Sequence, residues 1–215
     1  MLLYIIRHGE TAYNAEGRLQ GCLEISLNEN GKALAEVTGK GLKGTHFDLA
    51  ISSPLRRAYE TTEIILRESD NLQTPIITED RIKEISFGEW EGLCCSPANN
   101  EVPSKDFHLF FEDPFLLPPF PNGENVAMVC ERTGAFYQEL IKKEEFQNKT
   151  ILISTHGCAM RALLRQVYED KTKFWHTHVP YNCAVNIVEV IDGKSTLLAD
   201  DKIFYDPNLC IDRYK

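Results

Sequence analysis

Three stretches of the chain end in the same kind of chemistry. Leu2–Ile6 runs into Arg7-His8-Gly9, Leu49–Ser52 into Ser53-Pro54-Leu55-Arg56-Arg57, and Ile151–Ser154 into Thr155-His156-Gly157. Arg7-His8-Gly9, closing the first apolar run, is read as marking His8 as a histidine that accepts a phosphoryl group. In an open α/β sheet, ligands bind beyond the carboxyl ends of the strands. Three such ends would gather His8, His156, Arg7 and Arg57 in one crevice. Helices starting near Ser53 and Gly157 would aim backbone N–H groups at an anion there. Competing phosphate chemistries lack their spacing. No cysteine has an arginine six residues on, and neither His-Glu-x-x-His nor Gly-x-x-x-x-Gly-Lys-Ser/Thr occurs.

The elements that would position these residues alternate between strand and helix, which predicts a three-layer α/β/α domain with a mostly parallel central sheet. Leu2–Ile6 is a continuous apolar run, as in a strand buried on both faces. A helix is predicted from an Asn28 cap to about Lys40, with Leu34 and Val37 inward and Gly41 ending it. Ser53 is expected to cap the next helix, with Pro54 at its first position and a stripe of Leu55, Ala58, Thr62, Ile65 and Leu66. Ile76–Thr78 reads as a short strand. The recurrence of Val129, Thr133, Phe136, Tyr137 and Leu140 predicts a helix of at least four turns from Val126. Thr150–Ser154 reads as a strand, Cys158 to Tyr168 as a helix, and Cys183–Val190 as a strand turned back by Asp192-Gly193 onto Ser195–Ala199. Residues 94–124 have no clear period and hold most of the prolines and five phenylalanines, so they are read as an insertion within a single 1–215 domain. A lid over the crevice is the expected role, favouring a substrate with an apolar portion.

A net charge of −9 argues against nucleic acid or an anionic membrane as partner, and means that a phosphate pocket must concentrate its cations locally. No stretch is long and apolar enough to span a bilayer. The opening apolar run lacks a preceding basic segment and ends in Arg7-His8, unlike a signal peptide. Seven scattered cysteines without a Cys-x-x-Cys pair suggest neither a disulfide framework nor a zinc site. A reducing cytoplasm is the expected location. Assembly, a homodimer included, is left open.

Four segments in order resemble the histidine phosphatase superfamily, in its phosphoglycerate mutase-like branch. They are Arg7-His8-Gly9-Glu10-Thr11-x-x-Asn14, Ser52-Ser53-Pro54-Leu55-x-Arg57-Ala58, Glu84-x-x-Phe87-Gly88-x-Trp90-Glu91-Gly92 and Ser154-Thr155-His156-Gly157. The resemblance spans most of the chain. It implies a mostly parallel sheet flanked by helices, no metal or organic cofactor, and a small phosphate ester as substrate. It also implies roles: His8 would attack phosphorus through Nε2 and become phosphohistidine. Arg7, Arg57 and His156 would hold the phosphoryl oxygens, with Asn14 and the Gly157 N–H as neutral donors. Glu84 would protonate the leaving oxygen and then deprotonate the attacking water. Gln20 and Gly21, in Arg18-Leu19-Gln20-Gly21, would lie on the substrate side, with Gln20 contacting the substrate or that water.

Each assignment has a plainer rival. Arg56 and Arg57 point about 100° apart on a helix, and the family pattern selects Arg57, so Arg56 is read as a surface charge. Glu84 competes with Glu79, Asp80, Glu89 and Glu91 and is preferred by its motif position. His46, His108, His176 and His178 are read as non-catalytic, Glu10 as loop support, and Cys158 as a small buried residue. Two segments depart from the family pattern, Glu24-Ile25-Ser26-Leu27-Asn28 and Gly123-Glu124-Asn125, and both preserve a helix cap. They bear on specificity rather than chemistry. The alternative function is a phosphoglycerate mutase, whose family members resemble Asn-Glu-Arg-His-Tyr-Gly where this chain has Lys83-Glu84-Ile85-Ser86-Phe87-Gly88. A third reading, a phosphate-binding module without catalysis, conflicts with the complete set of His8, His156, Arg7, Arg57 and Glu84.

Overall fold

The apolar run at the start of the chain forms β1 (Leu2–Arg7), and its Leu3, Ile5 and Ile6 are wholly enclosed because strands pair with it on both sides. The computed structural model describes residues 1–176 and 178–207. After β1 come α1 (Ala12–Glu16), α2 (Glu29–Gly41), β2 (Leu49–Ser52), α3 (Arg56–Glu68) and β3 (Ile76–Thr78). Then follow α4 (Leu109–Glu112), α5 (Val126–Leu140), β4 (Thr150–Thr155), α6 (Gly157–Leu164), β5 (Val185–Ile191) and β6 (Lys194–Lys202). The sheet order is β3-β2-β4-β1-β5-β6, with the first four strands parallel and the last two antiparallel. The fold is the mostly parallel α/β sheet that the sequence predicts.

Register is what builds the site. Arg7 lies opposite Thr155, and Ser52 opposite Ser154, so three adjacent strands release their chains at nearly one level. Alternation along β1 then sorts the core. Leu3 and Ile5 pack with Phe136, Leu140, Met160 and Leu163 of α5 and α6. Ile6 packs with Leu34, Ile65 and Leu66 of α2 and α3 on the opposite face. Asp192 and Gly193, both at positive φ, close the β5–β6 hairpin as a two-residue primed turn.

Several expected boundaries move, each for a physical reason. Val37 is 39% exposed rather than inward, because Leu34, Ala35 and Thr38 face the core and Val37 points roughly 105° from their centre. Ser53 does not cap α3, which starts at Arg56 behind Leu55 without a side-chain cap. The Ser53 hydroxyl instead lies 2.8 Å from His156 Nε2. Helix α6 stops at Leu164, short of Tyr168, and β5 starts at Val185 because Cys183 adopts a left-handed φ of 58°. The caps Asn28 and Asn125 are where the sequence puts them, accepting from Gly31 N and Met128 N.

Residues 94–124 wind through short helical turns and α4 rather than a continuous element. Phe107, Phe110 and Phe120 are buried against Ile85, Phe87, Val129 and Trp175 in a separate apolar cluster. Phe115 remains 38% exposed. Among the described residues no helix is long and apolar enough to cross a membrane, and the six described cysteines are free. Cys210 lies outside the described residues.

Candidate active site

His8 follows β1 directly and is buried. Its Nδ1 lies 2.6 Å from the Gly9 carbonyl, which accepts only, so the ring proton sits on Nδ1 and the lone pair on Nε2. That Nε2 accepts from Arg57 Nε at 3.3 Å. Burial, and then the charges of Arg57 and Arg7, hold the His8 pKa well below the ordinary histidine value. Gly9 is required by close approach. A Cβ there would come within 2.5 Å of the Gly31 carbonyl, where the N-terminal turn of α2 meets this loop.

His156 follows β4, and its ring centroid is 5.1 Å from that of His8. Burial first, then Arg57, His8 and Arg7, lower its pKa well below the ordinary value. The Ser53 hydroxyl accepts from Leu55 N at 3.4 Å and lies 2.8 Å from His156 Nε2. The other ring nitrogen of His156, Nδ1, is buried with no hydrogen-bond partner among the described residues.

Arg57 is fully buried on α3, and burial pulls its pKa down to about 10, so it stays charged at neutral pH. Its Nη1 donates to the Leu23 carbonyl at 2.9 Å and its Nη2 to that of Gly21 at 2.7 Å. Gly21 therefore faces Arg57 and positions it. Its own N–H donates to Glu91, whose carboxylate also accepts from the Cys22 and Phe87 N–H groups. Arg7 donates through Nη1 to the Pro180 carbonyl, and its buried Nε has no partner among the described residues.

Glu84 is buried with both carboxylate oxygens engaged. Oε1 accepts from the Ile85 and Ala159 N–H groups, and Oε2 from that of Cys158. The first turn of α6 is thus capped by Glu84, and two of the N–H groups expected to face an anion are used internally. Gly157 borders the crevice between Arg7 and Glu84. A Cβ on it would lie 3.6 Å from Arg7 Nε and 3.7 Å from Glu84 Oε2. Asn14 Oδ1 accepts from the Thr11 N–H and hydroxyl in a reciprocal cap of α1. Gln20 Oε1 lies beside the same hydroxyl, and its Nε2 is buried with no partner among the described residues.

Three unpartnered buried polar atoms, Arg7 Nε, His156 Nδ1 and Gln20 Nε2, thus belong to residues expected at one site. Such groups cost stability unless something binds them. The crevice has an empty volume of about 480 Å³, with Arg7, His8, Asn14, Gln20 and Glu84 at its polar end. Phe87, Phe110, Phe111, Trp175 and Val179 form an apolar wall.

The set-aside residues sit elsewhere. Arg56 is exposed and paired with Glu60, and Glu10 accepts from the side chains of Asn28 and Asn30. Glu79 pairs with Arg81, Asp80 with Lys83, and Glu89 accepts from Asn122. His108 is exposed, His46 borders a separate surface depression, and His176 lies on the Tyr168 ring at 3.6 Å. His178 stacks on Tyr181 at 4.6 Å. Burial pushes the Cys158 thiol well above its usual pKa, as suits a packing residue. The sequence reading missed Ser53 as the partner of His156, and Asn182, whose Nδ2 donates to the His8 carbonyl at 3.0 Å. Ser53 carried a signal, its place in the second motif, but its cap role masked it. Asn182 lies in irregular chain with no pattern around it.

A family profile described as histidine phosphatase superfamily (branch 1) matches residues 3–200. The chain is 32% identical over 197 residues to phosphoserine phosphatase 1 of Hydrogenobacter thermophilus, covering 91% of this chain and 90% of that one. It is 30% identical over 192 residues to a 2,3-bisphosphoglycerate-dependent phosphoglycerate mutase of Neisseria meningitidis, covering 78% and 85%. Among solved structures it superposes on Bacillus stearothermophilus YhfR with a TM-score of 0.82 at 30% identity, over 94% of this chain and 97% of the other.

Proposed function

The chain belongs to the histidine phosphatase superfamily (branch 1), and on that premise we propose that it hydrolyses small phosphomonoesters through a phosphohistidine on His8. The observation that carries this reading is the His8 ring, neutral, buried and fixed with Nε2 as its lone-pair nitrogen. Substrate phosphate would take over the Arg57 Nε–H and satisfy Arg7 Nε, His156 Nδ1 and Gln20 Nε2. Asn14 and the Gly157 N–H complete the cradle. The Nε2 lone pair attacks phosphorus, the ester P–O bond breaks, and protonated Glu84 gives its proton to the departing oxygen. The arginines stabilise charge on the equatorial oxygens throughout. Glu84, now a carboxylate, takes a proton from water as that water attacks phosphorus. The N–P bond then breaks and inorganic phosphate leaves.

The apolar wall favours hydrolysis over transfer between hydroxyls. A mutase must hold a second anionic group of its bisphosphorylated partner. Beyond the phosphate end, the cation lining this crevice among the described residues is Arg18, and it is already paired with Glu16 at 2.7 Å and Glu101 at 3.3 Å. Phe110 and Phe111 come from the 94–124 segment, which supports its reading as a lid and favours an ester with an apolar alcohol. The amino and carboxylate groups of phosphoserine, the substrate in the relative's name, meet no charged side chain among the described residues of that wall. The free cysteines among the described residues support a reducing, cytoplasmic setting.

Chelator-treated enzyme offered 4-nitrophenyl phosphate, naphthyl phosphate and phosphoserine should release phosphate, fastest from the aryl esters. Isomerisation of 3-phosphoglycerate in the presence of bisphosphoglycerate, faster than any of these hydrolyses, would assign it as a mutase instead.

A further inference from the structure

One guanidinium beside the acid residue commits all its donors to the chain around Glu84. Arg132 is carried by α5. Its Nη1 donates to the carbonyls of Arg81 at 2.8 Å and Lys83 at 2.7 Å. Its Nη2 donates to the Glu84 carbonyl and to Glu124 Oε2, both at 2.9 Å, and its Nε to Glu124 Oε1 at 2.8 Å. Five N–H groups are the full complement of an arginine, so none is left for a ligand. Glu124 in turn accepts from the Ser86 N–H at 3.0 Å and donates its own N–H to the Ser86 carbonyl at 2.9 Å. The main chain is thereby fastened on both sides of Glu84. The carboxylate is fastened separately, by the Cys158 and Ala159 N–H groups of α6.

The segment needs such a clamp. After the short helical turn Asp80–Ile82 the chain belongs to no strand or regular helix until the turn at Gly88–Trp90, so the carbonyls of residues 81, 83 and 84 lack ladder partners. A planar fork can meet several carbonyls and a carboxylate at once, which an ammonium on a flexible stem does poorly. A general acid loses effect when it is displaced by a fraction of an ångström, because proton transfer demands hydrogen-bond reach.

We propose that Arg132 and Glu124 are positioning residues that hold Glu84 at the leaving-group oxygen, so that their loss falls on proton transfer to the departing alcohol. The inference rests on the assignment of Glu84 as acid and base in the proposed hydrolysis. Arg132 meets the substrate nowhere and acts through residues 81–86.

Leaving-group dependence tests it. The ratio kcat/KM covers the steps up to alcohol release. A nitrophenolate departs with little help, whereas an alkoxide needs the proton. Arg132→Gln and Glu124→Gln are compared with the wild-type chain on 2-phenylethyl phosphate and 4-nitrophenyl phosphate, with inhibition by inorganic phosphate reporting on the cradle. The alkyl ester should lose at least about tenfold more kcat/KM than the aryl ester, within the roughly 10²–10⁴-fold span of a positioned acid. Phosphate inhibition should stay within about twofold, since the cradle of Arg7, Arg57 and His156 is intact. Where Arg132→Gln fails to fold, Glu124→Gln, which keeps its volume and one acceptor, carries the same comparison. A parallel fall on both esters, or no fall on either, overturns the clamp while leaving the hydrolase reading intact. A wild-type chain inert toward both esters overturns the hydrolase reading and the clamp with it.

Discussion

Arg57 Nε donates to His8 Nε2 across 3.3 Å, and the other ring nitrogen of His8 is held by the Gly9 carbonyl at 2.6 Å. Together these contacts leave His8 one tautomer and aim one nitrogen at the guanidinium that phosphate would engage. Arg57 cannot drift away, because its two remaining nitrogens are held by Gly21 and Leu23 carbonyls. The loop carrying those carbonyls is fixed in turn by Glu91. An acidic chain thus concentrates cationic donors by burying them among carbonyl groups.

Burying two neutral histidines makes stability depend on pH. Both His8 and His156 have folded pKa values lowered chiefly by burial, whereas in the unfolded chain they titrate near about 6.5. Below that pH the unfolded chain binds more protons than the folded one, so stability falls as pH drops through about 6.5. Above it these two groups contribute no slope. Chemical denaturation between about pH 8 and pH 5 should show this loss, and His8→Ala should shallow it. An equal slope in the variant would contradict the assignment of His8 as buried and neutral.

Ser53 should matter through His156. Removing its hydroxyl leaves His156 Nε2 buried without that partner, at a cost of about 1–3 kcal/mol, and frees the ring to turn. Ser53→Ala should lower kcat by about tenfold or more while leaving KM for an aryl phosphate within severalfold, since the arginines still hold the phosphate. Steady-state kinetics with melting temperatures measured alongside would decide. A KM effect alone would mean that the hydroxyl does not set the ring.

The aromatic wall predicts a selectivity change. Phe111 lines the crevice and packs edge-on to Phe107 and Phe110. Phe111→Ala should raise KM for naphthyl phosphate by roughly 5- to 30-fold, the range for losing a partly buried aromatic contact of about 1–2 kcal/mol. KM for a short alkyl phosphate should hardly change. Equal rises for both esters would place the alcohol away from this wall.

The strands were the legible part of the fold, because an apolar run such as Leu2–Ile6 has few other stable destinations than the middle of a sheet. The gathering of His8, His156, Arg7 and Arg57 followed from strand ends alone, and the parallel register of β1, β2 and β4 delivers it. What sequence could not show was competition for shared groups. Ser53 reads as a cap but spends its hydroxyl on His156, and the first turn of α6 reads as an anion site but is capped by Glu84. Asn182 and Arg132 were invisible because their partners, main-chain carbonyls and for Arg132 also the Glu124 carboxylate, are brought near by folding, with no periodicity to announce them. The 94–124 segment defied periodicity because its phenylalanines pack as a cluster among themselves and with Trp175, not as one face of an element.

The central claim is a covalent bond between phosphorus and His8 Nε2. Enzyme quenched in alkali during turnover should carry an acid-labile, alkali-stable phosphoryl group. Phosphorus NMR of the denatured protein should place it on Nε2, and peptide mapping should place it on His8. His8→Ala should carry no label and lose turnover. Label on another residue, or hydrolysis that persists in His8→Ala, would contradict the account.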